Sequence, residues 1–96
     1  MPAYWLARSR VNNPDGYKLY ADAAGGILAK YGGKVLARGG KFQIMEGSDH
    51  FGRFVAVEFP TFEDAVNCFE SEEYKAAAAN RRDGSGEVEV VIVEGA

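Results

Sequence analysis

The stretch that decides the fold is residues 34–59, KVLARGGKFQIMEGSDHFGRFVAVEF. Lys34 to Glu46 reads as a long strand, with Gly39-Gly40 marking a bulge or bend in its middle. Gly47-Ser48-Asp49-His50 carries turn chemistry, and Phe51 to Phe59 reads as the returning strand of a hairpin. A central hairpin with a helix and a further strand on either side is the signature of one particular plaited sheet. The flanking sequence therefore has to supply those four elements.

Upstream, Ala3 to Val11 (AYWLARSRV) reads as a strand, and Asn12-Asn13-Pro14-Asp15 as a helix start. Asn13 can cap free backbone N–H groups, Pro14 suits the first helical position, and Asp15 suits the positive end of the dipole. Tyr17, Tyr20, Ala21, Ala24, Ile27, Leu28 and Tyr31 then follow helical spacing as one apolar stripe. Gly25-Gly26 inside that helix predicts a close backbone approach or a kink, and Gly32-Gly33 predicts its stop. Downstream, Thr61 with Asp64 resembles a capping box ahead of a second helix carrying Phe62, Ala65, Val66 and Phe69. Ser71 caps a restarted helical segment with Tyr74, Ala77, Ala78 and Arg81. Gly84-Ser85-Gly86 breaks it, and Glu87 to Glu94 (EVEVVIVE) is the last strand. The order β-α-β-β-α-β predicts an α+β, ferredoxin-like plait: a four-stranded antiparallel sheet with two helices on one face, filling residues 1–96 as a single domain.

The strands say more. Tyr4-Trp5-Leu6-Ala7, Phe54-Val55-Ala56-Val57 and Val90-Val91-Ile92-Val93 are apolar at both parities, so both sheet faces need cover. The helices suffice for one. A second copy packed sheet to sheet is the expected cover, which predicts a homodimer. The chain has 96 residues, with 11 Lys and Arg against 14 Asp and Glu, a net charge of −3. That balance argues against nucleic acid or an anionic membrane as partner. No apolar run reaches the roughly 18 residues of a membrane span, and no export signal is recognisable, so a cytoplasmic location is expected. One cysteine and one histidine exclude an internal disulfide and the common zinc spacings, and no metal is expected. No P-loop or dinucleotide fingerprint is present, so no bound organic cofactor is expected either.

Over nearly its full length the sequence resembles the bacterial domain-of-unknown-function family 1330, within the dimeric α/β-barrel superfamily of ferredoxin-like domains. The segments that carry the likeness are Tyr4 to Arg8, Leu28 to Gly33, Leu36 to Gly40, Glu58 to Phe62, Ser71 to Tyr74 and Val91 to Gly95. The family resemblance supplies no assigned reaction. Wider relatives by fold include cofactor-independent monooxygenases, small isomerases, haem-handling enzymes and stress-response dimers, a range that selects no single chemistry.

The residues themselves offer a candidate site. With a turn centred on Ser48-Asp49-His50, Leu36, Arg38, Gly40, Phe42 and Ile44 share a face with Phe54, Ala56 and Glu58, and Arg38 and Glu58 become diagonal neighbours. There the guanidinium could hold an anion while Glu58 orients it or takes a proton; the competing reading is a structural ion pair. Tyr17, Tyr20, Tyr31 and Tyr74 could offer hydroxyls to a small polar ligand, or fill the core while their hydroxyls reach water. His50 reads as a solvated turn residue, Cys68 as a buried inert thiol, Trp5 as core or interface, and Arg81-Arg82 as partners of a helix dipole. Two functions follow: a cofactor-independent small-molecule enzyme, isomerase-like or monooxygenase-like, acting on an anionic or aromatic substrate; alternatively, a non-catalytic ligand-binding or stress-associated homodimer.

Overall fold

A computed structural model describes all residues 1–96. Strand β1 (Ala3–Val11) ends where Asn13 begins helix α1 (Pro14–Lys30). The Asn13 side-chain oxygen accepts from the backbone N–H of Asp15 at 3.2 Å and of Gly16 at 3.4 Å, so two of the orphan donors of the first turn are satisfied. Then come β2 (Lys34–Arg38), β3 (Arg53–Phe59), α2 (Phe62–Glu70), α3 (Glu72–Arg82) and β4 (Gly86–Glu94). Thr61 Oγ1 accepts from Asp64 N–H to cap α2, and Ser71 Oγ accepts from Tyr74 N–H to cap α3, each at 3.1 Å. The second helix is thus two helices, divided at Ser71.

The sheet order is β2-β3-β1-β4, antiparallel throughout, with all three helices packed on one face. This is the ferredoxin-like plait. Between sheet and helices lies the core, where Trp5, Val57 and Phe59 from the strands meet Leu28, Ala65, Cys68, Tyr74 and Ala78 from the helices.

Two expectations are corrected. The long strand over Lys34 to Glu46 stops at Arg38, and β3 begins at Arg53 rather than Phe51. Gly39 adopts φ +63°, a left-handed conformation that turns the chain out of the ladder instead of bulging it. β2 and β3 still pair antiparallel as the expected hairpin, but residues 39–52 join them as a long irregular loop in place of the short turn. The bulge lies earlier, between Val35 and Ala37, with Val35 opposite Val57, Ala37 opposite Ala56 and Arg38 opposite Val55. Leu36 is the extra residue, and it shifts the parity of everything after it.

The second correction concerns Gly25-Gly26. Helix α1 runs unbroken through both, and nothing outside it lies within 4 Å of where either Cβ would be. Neither glycine is required by a close approach. Gly26→Ala is expected to raise the unfolding free energy by about 0.5–1 kcal/mol, since Ala loses less backbone entropy in a helix. Chemical denaturation checks it; a loss of stability would show that the position serves packing.

The opposite sheet face is uncovered in a single chain. Leu6 is 41 % exposed and Val91 58 %, and they are paired neighbours on that face. The loop adds Phe42, Ile44 and Met45, with the Phe42 ring 4.9 Å from that of Phe54. The slab measures 34 × 33 × 17 Å, the thinness of one sheet carrying one helical layer.

Candidate functional site

Strand alternation places Trp5, Ala7 and Ser9 of β1 on the helix-covered face, and their partners Arg53, Val55 and Val57 of β3 beside them. Helix α1 lays Tyr17, Tyr20, Ala24 and Leu28 above these residues. Between the two layers remains a cavity of about 60 Å³, bounded at one side by Gly25 and at the β2 end by Val35 and Arg38. Space of this size holds several water molecules or part of a small ligand.

The lining is apolar and aromatic apart from a few polar groups. Tyr17 donates to Ser9 Oγ at 3.1 Å, a buried pair that closes one end. Arg38 and Arg53 are the two charged residues among the fourteen that line the cavity; no Asp, Glu, His or Cys does so. Neither guanidinium forms an ion pair, whereas Arg8, Arg10, Lys18, Lys30 and Lys75 each meet a carboxylate. Arg53 Nε is buried without a hydrogen-bond partner. Gly39 makes room for it: a Cβ there would stand 2.5 Å from Arg53 Nη1. An acid-free cavity with two unpaired guanidinium groups on its wall, one exposed and one half-buried, has a positive local potential.

The residues singled out from sequence separate accordingly. Arg38, Tyr17 and Tyr20 line the cavity. Glu58 does not: it pairs with Tyr4 and Lys34 on the other face, so the Arg38–Glu58 neighbourhood is overturned by the bulge at Leu36. Tyr31 does not line the cavity: it packs against the core and its hydroxyl donates to Glu73 at 3.1 Å, a carboxylate that Lys30 also reaches at 2.9 Å. These contacts hold the Glu73 carboxyl below its usual range, the Lys30 hydrogen bond most of all. Tyr74 is fully buried beside the cavity, with its hydroxyl 2.8 Å from that of Tyr20. Arg53, Trp5 and Ser9 were not singled out as ligand contacts. A signal for Arg53 existed: it precedes Val55, Val57 and Phe59 at alternating positions, an arginine in phase with the core.

Arg81 lies in the last turn of α3, where a helix-dipole partner was expected, but it is buried there. It follows Tyr74, Ala77 and Ala78 on the inner stripe of α3, is 5 % exposed, and donates to the Tyr74 hydroxyl at 3.2 Å. Burial alone would lower its pKa, but the tyrosine contacts outweigh that and raise it. Tyr20 is likewise pushed upward, by burial first and by Tyr74 next. Cys68 is buried in the core, where burial above all pushes its thiol up to about 11, leaving it protonated and inert at neutral pH. His50 lies on the surface, with Nε2 3.1 Å from Glu87 and Nδ1 3.3 Å from Arg10. No group of three or more His, Cys, Asp and Glu side chains comes together that could hold a metal ion, and no helix is long and apolar enough to cross a membrane.

Several solved structures share this architecture. A protein of unknown function from Rhodopseudomonas palustris, RPA0582, superposes with a TM-score of 0.74 at 19% identity, over 99% of this chain and 82% of that one. SnoaB, a cofactor-independent oxygenase from Streptomyces nogalater, superposes with a TM-score of 0.66 at 10% identity, over 99% and 93%. An ethyl tert-butyl ether d (ethd) family protein from Bacillus halodurans reaches 0.60 at 14% identity, over the whole of both chains. At these identities the likeness shows the fold alone. No curated protein matches the sequence. The family is settled by the sequence itself: residues 2–96 match the family described as Domain of unknown function (DUF1330), and the chain belongs to it.

Proposed function

We propose that this protein takes up a planar, anionic small molecule in the cavity between α1 and the sheet, and works on it without a bound organic cofactor. One observation carries the reading: two guanidinium groups, Arg38 and Arg53, line an otherwise apolar, acid-free cavity and have no counter-charge within the protein. Arg38 is exposed and Arg53 half-buried with its Nε shut away from any partner, so an anionic ligand supplies the counter-charge and hydrogen-bond acceptors that the empty site lacks. Trp5, Tyr17 and Tyr20 offer flat apolar surface for a conjugated ring. Guanidinium groups placed at a carboxylate, enolate or phenolate stabilise the ionised form of the substrate. That favours the chemistry common to proton-shift isomerisation and to oxygenation of a substrate anion by dioxygen. The likeness to a cofactor-independent oxygenase supports this class at the level of fold.

A second reading, a non-catalytic ligand-binding dimer, has its own support. The lining contains no carboxylate or imidazole to serve as general base. A substrate must enter already ionised, or the site only binds. In both readings the protein pairs with a second copy through the sheet face that carries Leu6 and Val91.

A thermal-shift screen of small carboxylates, phenols and quinones, each beside its neutral ester or ether, tests the site. At about a hundred times its Kd, a ligand of the native state contributes about 2.7 kcal/mol, on the order of 10 °C in a domain of this size. The anions are expected to raise Tm and the neutral isosteres to leave it unchanged. Arg53→Met is expected to abolish the shift while the free protein keeps its stability, because the half-buried guanidinium makes no ion pair and its Nε has no hydrogen-bond partner. A loss of stability in Arg53→Met with the ligand shift intact would make Arg53 a structural residue. Oxygen uptake and product analysis with each binder separate turnover from binding.

A further inference from the structure

We infer that Tyr20 is a hydrogen-bond donor to the ligand in the cavity, and that buried Arg81, acting through Tyr74, is the positioning residue that sets this polarity. Arginine carries donors only, and Arg81 Nη2 donates to the Tyr74 hydroxyl oxygen at 3.2 Å. Tyr74 is fully buried, and its other polar contact is the Tyr20 hydroxyl at 2.8 Å. Were Tyr20 the donor across that contact, the Tyr74 proton would be left buried with no acceptor, which native interiors avoid. Tyr74 therefore donates to Tyr20. The Tyr20 proton then has no acceptor within the protein, and Tyr20 lines the cavity.

Other observations agree. The Arg81 guanidinium lies over the Tyr20 ring, 4.9 Å from its centre, and holds the ring where it is. Burial and the Tyr74 contact push the Tyr20 pKa upward, so this phenol stays protonated as a donor and does not act as a base. Arg81 itself has no ion pair, and its Nε is buried without a partner. Apolar side chains fill such a position at lower cost; setting the direction of the tyrosine hydrogen bonds is a role that needs the cation.

This rests on the anion-binding reading of the cavity and narrows its ligand. The molecule carries an anionic group for Arg38 and Arg53 and a separate acceptor oxygen, such as a ring or aryl carbonyl, for Tyr20. The test uses 3- and 4-formylbenzoate, which present a carbonyl acceptor, beside 3- and 4-vinylbenzoate, which are near-isosteres without one. Affinities are measured by calorimetry in the wild type, Tyr20→Phe, Arg81→Met and Arg81→Lys. The better formyl isomer is expected to bind the wild type about threefold to tenfold more tightly than its vinyl counterpart. Tyr20→Phe and Arg81→Met are expected to bring that ratio to about one, and Arg81→Lys to restore part of it.

A wild-type ratio near one, with both probes bound, overturns the donor role of Tyr20 and leaves the anion site standing. Failure of all four probes to bind overturns both. A ratio that survives in Arg81→Met overturns the role of Arg81; should that variant not fold, Arg81→Lys and Tyr20→Phe still decide.

Discussion

Replacing Trp5 with Ala is expected to lower the unfolding free energy by about 3–5 kcal/mol, out of a total of about 5–15 for a domain of this kind. The indole is 2 % exposed and is the hub of the aromatic core, with ring centres at 5.9 Å to Phe59, 5.5 Å to Phe69 and 5.2 Å to Tyr74. Truncation removes its burial and all three ring contacts at once, and it enlarges the neighbouring cavity that Trp5 also lines. Trp5→Phe keeps part of each contact and is expected to cost less. Urea denaturation with the wild-type slope measures the difference. A change below 1 kcal/mol would mean that the ring is not held among those partners.

Leu6→Asp is expected to raise the dissociation constant of the proposed sheet-to-sheet dimer at least a hundredfold while leaving the protomer folded. Leu6 stands opposite Val91 on one side and Ala56 on the other, in the middle of the uncovered sheet face. In a lone chain its side chain is already 41 % exposed, so a carboxylate there meets water at little cost. Against a second copy the same carboxylate is buried at the centre of an apolar contact without a partner, where losses of 2 kcal/mol or more are common. By two-fold symmetry the charge enters twice. Sedimentation and far-UV circular dichroism read the two effects separately. A wild type that is monomeric at micromolar concentration, or a Leu6→Asp dimer of unchanged affinity, refutes the sheet-to-sheet assembly.

Between sequence and structure, the parts that agree are those governed by neighbours in the chain. The cap at Asn13, the restart at Ser71 and the limits of β1 depend on side chains reaching backbone groups two or three residues away, and the residue types alone declare them. The hairpin is different. Its register rests on which of two glycine-rich breaks the chain uses, and Gly39-Gly40 ends β2 where a bend within a longer strand was equally compatible with the residues. One extra residue at Leu36 then sends Arg38 to the cavity face and leaves Glu58 on the other. A pairing argued from alternation is lost to a single bulge. The aromatic stripe of α1 was legible, but the fate of each hydroxyl was not. Tyr17 finds Ser9 across the layer, Tyr20 finds Tyr74, and Tyr31 finds Glu73, all set by how the helices sit on the sheet.

The sequence alone determined the order of elements, the plait they form and the doubly apolar character of its strands, because helix caps, turn residues and side-chain periodicity are local properties. Only the tertiary structure decided which charges share a space. Arg38, Arg53 and Arg81 come from three different elements, and their missing counter-charges become visible only once the chain has brought together what surrounds them.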